Sequence, residues 1–193
     1  MSILGTIRSV GEAFGVWKPA AIPLGCRIGT VAFRETKRSA WLANIGRPSE
    51  PLASGTRTRL HTLFPELDVT RIRVRRGCRL PANRFRPSGS IYAMTFGYTI
   101  YWRDPDLDED DPVDFVKLVH EVVHVDQVRR LGGESKFACA YGEGYLAGGG
   151  DLPAYIKKPT AYHRNPLEAE AYTFEEQFRN ERGKVVPELV RQL

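Results

Sequence analysis

Residues 111–133 read DPVDFVKLVHEVVHVDQVRRLGG, and this stretch carries every signal of one long helix. Asp111 is placed to cap it, Pro112 fits the first helical position and Asp114 sits in the first turn, where a carboxylate meets the positive end of the helix dipole. Phe115, Val116, Val119, Val122 and Val123 supply an apolar stripe, and Gly132-Gly133 ends the run. Asp111 also closes most of an acidic stretch, Asp104–Asp114, that lacks the sixth-position Gly and twelfth-position Glu of a calcium-binding helix-loop-helix. The helix start is the better explanation of these acids.

Downstream, Ser135–Leu146 reads as a second helix with Phe137, Tyr141 and Tyr145 four residues apart, closed by Gly148-Gly149-Gly150. Asn165-Pro166 opens a third, on which Leu167, Ala171, Phe174 and Phe178 share a face. Upstream, Thr56–Phe64 has the pattern of a short helix, and two strands are expected at Val69–Arg75 and Ser90–Trp102, with Gly97 as a bulge. The class is therefore α+β: a small mixed or antiparallel sheet followed by a mainly helical C-terminal half. Arg47–Gly55 (RPSEPLASG) has linker composition and divides an N-terminal extension, 1–55, from a main body, 56–193. Within the extension only Ile7, Val10 and Phe14 fall at helical spacing, interrupted by Gly11 and Gly15.

Inside the long helix stands His120-Glu121-Val122-Val123-His124. Histidines four apart on a helix project from one side, so both imidazoles reach one metal ion, and Glu121 is one step round, where a carboxylate can take a proton from a water. Nitrogen ligands, an open coordination position and an adjacent base are what hydrolysis on zinc requires. Chance gives about 0.006 such pentapeptides in a chain of this composition. Such a site needs a third protein ligand. The class that uses a histidine six residues further on is excluded, since Gln127 and Arg130 stand where its Gly and His belong. Glu168 and Glu170, at the start of the third helix, are the candidates. Glu168 also has a plain structural explanation, because with Asn165 as cap it occupies the capping-box position.

The chain has 193 residues, 28 Lys and Arg against 23 Asp and Glu, and 42 % hydrophobic residues, which is ample for a core. No apolar run is long enough to span a membrane, and no basic-then-apolar leader opens the chain. Three cysteines, far apart and odd in number, argue against a disulfide framework and for a cytoplasmic location in the producing cell, or export without a standard signal peptide. Residues 1–100 carry a net charge of +11 and residues 101–193 a net of −6. In Arg71-Ile72-Arg73-Val74-Arg75 the arginines alternate with apolar residues, the signature of one strand face in water. No nucleic-acid-binding motif appears, so nucleic acid is not the expected partner.

Taken together, Thr95-Phe96-Gly97-Tyr98-Thr99-Ile100-Tyr101, His120-Glu121-Val122-Val123-His124 with Gln127, and Glu168-Ala169-Glu170-Ala171 resemble the metallopeptidase domain common in extracellular contractile injection system gene clusters, a gluzincin-type zinc peptidase. The resemblance covers roughly residues 56–180. It implies a zincin-like fold with an edge strand around Thr95–Trp102 beside the cleft, Zn2+ on His120, His124 and Glu168, and Glu121 as general base. It also implies a polypeptide substrate, and an effector or toxin role with a bacterial secretion or injection apparatus as partner. Larger gluzincins place an Asp four residues after the ligand Glu as partner to a metal-binding histidine; here that residue is Tyr172, which leaves Asp126 or Glu170 for the role. His163, Tyr162, Tyr155 and Tyr145 are candidate donors to a developing oxyanion. The competing expectation is an inactive zincin-like domain that serves as a binding or assembly module.

Overall fold

The computed structural model describes residues 24–81, 91–147 and 164–193. Among these residues the order is α1 (Leu24–Ala43), β1 (Glu50–Pro51), α2 (Ser54–Leu63), a 3-10 turn (Val69–Arg71), β2 (Arg73–Arg75), β3 (Ala93–Phe96), β4 (Thr99–Trp102), α3 (Pro112–Arg130), α4 (Glu134–Ala147), α5 (Pro166–Glu176) and α6 (Pro187–Arg191). The fold is α+β, with a small mixed sheet of order β1-β2-β4-β3. β2 and β4 run parallel, and the other two pairings are antiparallel.

Each side of the sheet meets a different helix. Ala93, Ile100 and Trp102 point into the main core with Phe115, Val119, Val122 and Val123 of α3. Met94, Phe96 and Tyr101, one residue out of phase, face Phe33 and Ala40 of α1. Period-two alternation sends successive side chains to opposite faces, so both faces must be covered. That second cover comes from α1, a helix not anticipated from the sequence. Its glycines explain how it packs. A Cβ at Gly29 would lie 2.3 Å from the Ala138 carbonyl oxygen, and one at Gly142 would lie 2.3 Å from the Gly25 carbonyl oxygen, so α1 and α4 touch backbone to backbone.

Several expectations change. Residues 24–52 belong to the same body as the rest, since β1 pairs with β2 through Glu50 and Val74 and Leu52 lies in the core, while residues 1–23 lie outside the described ones. Val69–Arg75 is split, because Asp68 accepts a bond from the Thr70 N–H and winds the first residues into the 3-10 turn before Arg73–Arg75 extends. The strand expected at Ser90–Trp102 is, over its described residues, a hairpin rather than one bulged strand: Gly97, at φ 61°, lies in the turn between β3 and β4. The long helix starts as expected, with the Asp111 carboxylate accepting from the Val113 and Asp114 N–H groups. Glu109, from the same acidic run, is buried and accepts from the Ala53 N–H and from Arg76, which ties residues 50–53 down. Around β2, Arg71 lies over Tyr98 and Arg75 over Tyr101, so these arginines cover aromatic faces of their own sheet.

Cys26 and Cys139 form a disulfide, and Cys78 is the free thiol. This corrects the expectation drawn from the odd cysteine count. The glycine-lined approach of α1 to α4 brings together two cysteines separated by 113 residues, and the case for a reducing compartment loses its basis. Closing a loop of that length removes about 5 kcal/mol of unfolded-chain entropy. Thiol titration of the denatured, unreduced chain should therefore count one reactive thiol, rising to three after reduction; three from the outset would disprove the pairing.

Candidate metal centre

His120 and His124 lie on successive turns of α3 and present their Nε2 atoms to one carboxylate, that of Glu168 in the first turn of α5. His120 Nε2 is 3.5 Å from Glu168 Oε2, and His124 Nε2 is 3.6 Å from Glu168 Oε1. Two ligands at zinc-like bond lengths on a tetrahedron stand about 3.4 Å apart, so the three side chains are spaced as neighbours around one ion. The relative exposures of these residues are 3, 6 and 2 %. Among the described residues they form the one group of His, Cys, Asp or Glu able to hold a metal ion.

The donor set fits a metal on a second count. Glu168 Oε2 is buried and has no hydrogen-bond partner, although its twin, Oε1, accepts from the Tyr141 hydroxyl at 2.7 Å. An unpartnered buried carboxylate oxygen is expensive, and a cation between it and the two imidazoles removes that cost. Burial by itself would raise the Glu168 pKa, but the imidazoles of His124 and His120 and the Tyr141 hydroxyl outweigh it and hold the group at about 2. It is therefore anionic and ready to ligate. For His120 burial favours the neutral ring, but the neighbouring carboxylates of Glu168, Glu121 and Glu175 outweigh it and raise its pKa.

A layer of polar groups orients the ligands. His124 Nδ1 pairs with Gln127 Oε1 at 2.8 Å, and Gln127 Nε2 donates to the Leu167 carbonyl at 2.8 Å and to Glu170 Oε2 at 3.0 Å. Glu170 is also gripped by Arg130. Glu170 is thus not a ligand of the centre; it reaches His124 through Gln127. Asp126 is turned toward Arg129 and Arg130 and orients neither histidine. On the His120 side, Nδ1 faces Glu175 at 3.8 Å and the Tyr172 ring packs edge-on at 4.8 Å. Glu175 lies three residues beyond the position where a larger gluzincin carries its Asp, almost one helical turn further along α5.

Glu121 is buried, and its Oε2 accepts from the Thr95 hydroxyl at 2.6 Å, so β3 fixes the carboxylate. Glu121, His124 and Glu168 line a cavity of about 340 Å3 bounded also by α1, β3 and α4. β3 lies at the end of the sheet order and its four residues all line this cavity; the edge of the cleft is Ala93–Phe96, while Thr99–Trp102 lies inside the sheet. Tyr145 lines the cavity too. Tyr155, Tyr162 and His163 lie outside the described residues. Thr95, Tyr141 and Glu175 are functional neighbours that the sequence did not single out for these parts. Thr95 and Tyr141 were legible only as strand and helix residues.

Compared with protein-family models, with curated proteins and with solved structures, the chain matches none. The site must be read from its own geometry.

Two measurements test that geometry. Glu168→Ala should abolish stoichiometric zinc binding, whereas Glu170→Ala should keep the stoichiometry and weaken affinity about 10- to 100-fold, as loss of an outer partner does; the reverse ranking would make Glu170 the ligand. A protonated imidazole cannot ligate, and the His120 pKa is raised, so proton competition should begin above the ordinary value near 6.5. Zinc affinity, measured by chelator competition, should fall steadily as pH drops from 8 to 5.5, and a flat profile would contradict this.

Proposed function

We propose that the protein is a zinc-dependent endopeptidase of zincin-like fold. The observation that carries the proposal is the buried His120–His124–Glu168 group with the Glu121 carboxylate beside it on the wall of one cavity. The resemblance to the metallopeptidase domain of contractile injection clusters supports the same reading and adds a delivered effector, with the injection apparatus as partner, to the proposal.

Bound by His120, His124 and Glu168, zinc would supply a Lewis acid that acidifies a water and polarises a peptide carbonyl. Everything else falls to the chain. Thr95 donates to one oxygen of Glu121, which locks the side-chain rotamer and leaves the other oxygen for the proton of the attacking water. The same carboxylate then delivers that proton to the departing amine nitrogen, which leaves it unprotonated for the next cycle. β3 offers the main-chain groups of an edge strand, which pair with an extended peptide independently of its sequence and lay the scissile bond along the cavity. Tyr145 is the described side chain suited to donate to the carbonyl oxygen as it gains charge. Gln127 holds the His124 ring by a hydrogen bond, the Glu175 carboxylate faces His120 Nδ1 at 3.8 Å, and neither takes part in bond making.

An inactive binding module has no use for Glu121 in this position. A structural site would close its last coordination position with another protein ligand, whereas this group, among the described residues, comprises three and opens on a cavity.

Glu121→Gln should retain one zinc per chain while cleavage of an unfolded protein substrate falls about a hundredfold or more. Wild-type cleavage by the zinc-loaded variant would remove Glu121 from the mechanism. Absence of cleavage by zinc-loaded wild type on any unfolded substrate would favour the binding module.

A further inference from the structure

The cavity beside the metal ligands is walled largely by carbon. Ile28 and Phe33 come from α1, Met94 and Phe96 from β3, Phe137 and Leu146 from α4. The charged or ionisable groups in its lining, apart from tyrosines, are Glu121, His124 and Glu168, all of them members of the centre itself. Glu121 and Glu168 are already engaged by Thr95 and Tyr141. Among the described residues no Lys, Arg or Asp lines it, so a charged side chain entering would lose water without gaining a partner there. Its volume, about 340 Å3, falls within the range of ligand pockets and leaves room for a large side chain of a peptide laid along β3.

The α1 wall is fixed along its length. Cys26 is bonded to Cys139, Gly29 abuts the α4 backbone at Gly142, Phe33 packs edge-on against Phe96 and Phe137 at ring distances of 5.3 and 5.9 Å, and Lys37 pairs with Glu134 at 2.6 Å. A wall pinned at successive points cannot swing away to admit a larger group, nor close over a smaller one. We infer that α1 is a specificity element: with β3 and α4 it forms an apolar slot that accepts one bulky apolar side chain, aliphatic or aromatic, of the residue flanking the scissile bond. The inference rests on the proposed peptidase reading and gives residues 24–43 a part in substrate choice.

The test separates the slot from the metal. Four N-acetyl amino-acid hydroxamates, bearing the side chains of Phe, Leu, Asp and Gly, share a zinc-binding head and differ only in what they offer the slot. On the zinc-loaded full chain, calorimetry should find the Phe and Leu compounds at least about tenfold tighter than the Gly compound, as expected for burial of one large apolar side chain, and the Asp compound no tighter than Gly. Ala32 and Ile28 are exposed residues of α1 that line the slot. Ala32→Trp, by filling it, and Ile28→Asp, by charging it, should each bring the Phe-to-Gly ratio close to one. Equal binding of all four compounds to wild type, or a Phe preference that survives both substitutions, overturns the slot and leaves the metal centre standing. Failure of every hydroxamate to bind overturns the metal reading and this inference with it.

Discussion

The contact on which the rest of this structure depends is the one Gln127 makes between two helices. Its amide nitrogen donates to the Leu167 carbonyl and to Glu170, while its oxygen meets His124, so one buried side chain sets both the crossing of α3 with α5 and the rotation of a ligand ring. Both partners are needed, because a half-satisfied buried amide destabilises the place it occupies. With the crossing fixed, Glu168 has no choice of direction. It is 2 % exposed and must find positive charge or hydrogen-bond donors within the protein, and it finds two imidazoles and the Tyr141 hydroxyl. The centre is therefore held by the same forces that dock α5 onto the body.

The sheet extends this logic to the other side. Thr95 and Ile100 are register partners and face α3, so the strand proposed to offer a peptide its main chain also steadies the Glu121 carboxylate. The next residue, Phe96, faces α1. A one-residue slip of β3 would exchange these roles, sending Thr95 away from Glu121 and an aromatic ring toward it. Hairpin register and the chemistry proposed for Glu121 are thus one requirement.

Much of this was legible in the sequence where signals are local. Asp111 and Asn165 as caps, the apolar stripe of α3 and the four-residue histidine spacing all follow from rules that act within one or two helical turns, and the helices expected from Pro112, from Ser135 and from Pro166 are present, the second beginning one residue earlier at Glu134. Glu168 was identifiable as a candidate because Glu at that position of a capped helix is held rigidly. What escaped was long-range. The apolar residues of α1 do segregate to one side, but several of the large ones are left exposed, and its place is dictated by glycine contacts with a helix more than a hundred residues away. The Cys26–Cys139 pair is a consequence of that contact and could not be inferred without it. The hairpin was hidden because aromatic and β-branched residues continue almost unbroken through Tyr98, and a lone Gly97 signals a bulge and a tight turn equally well.

The place of β3 at the end of the sheet has a consequence of another kind. A strand at the margin of a sheet is normally a hazard, since its unpaired amides invite a neighbouring molecule to add a strand of its own and start a stack. Among the described residues that margin also lines the cavity bounded by α1 and α4. In the proposed endopeptidase the same main-chain groups would receive a strand of substrate, so the feature that most proteins conceal would here be put to use.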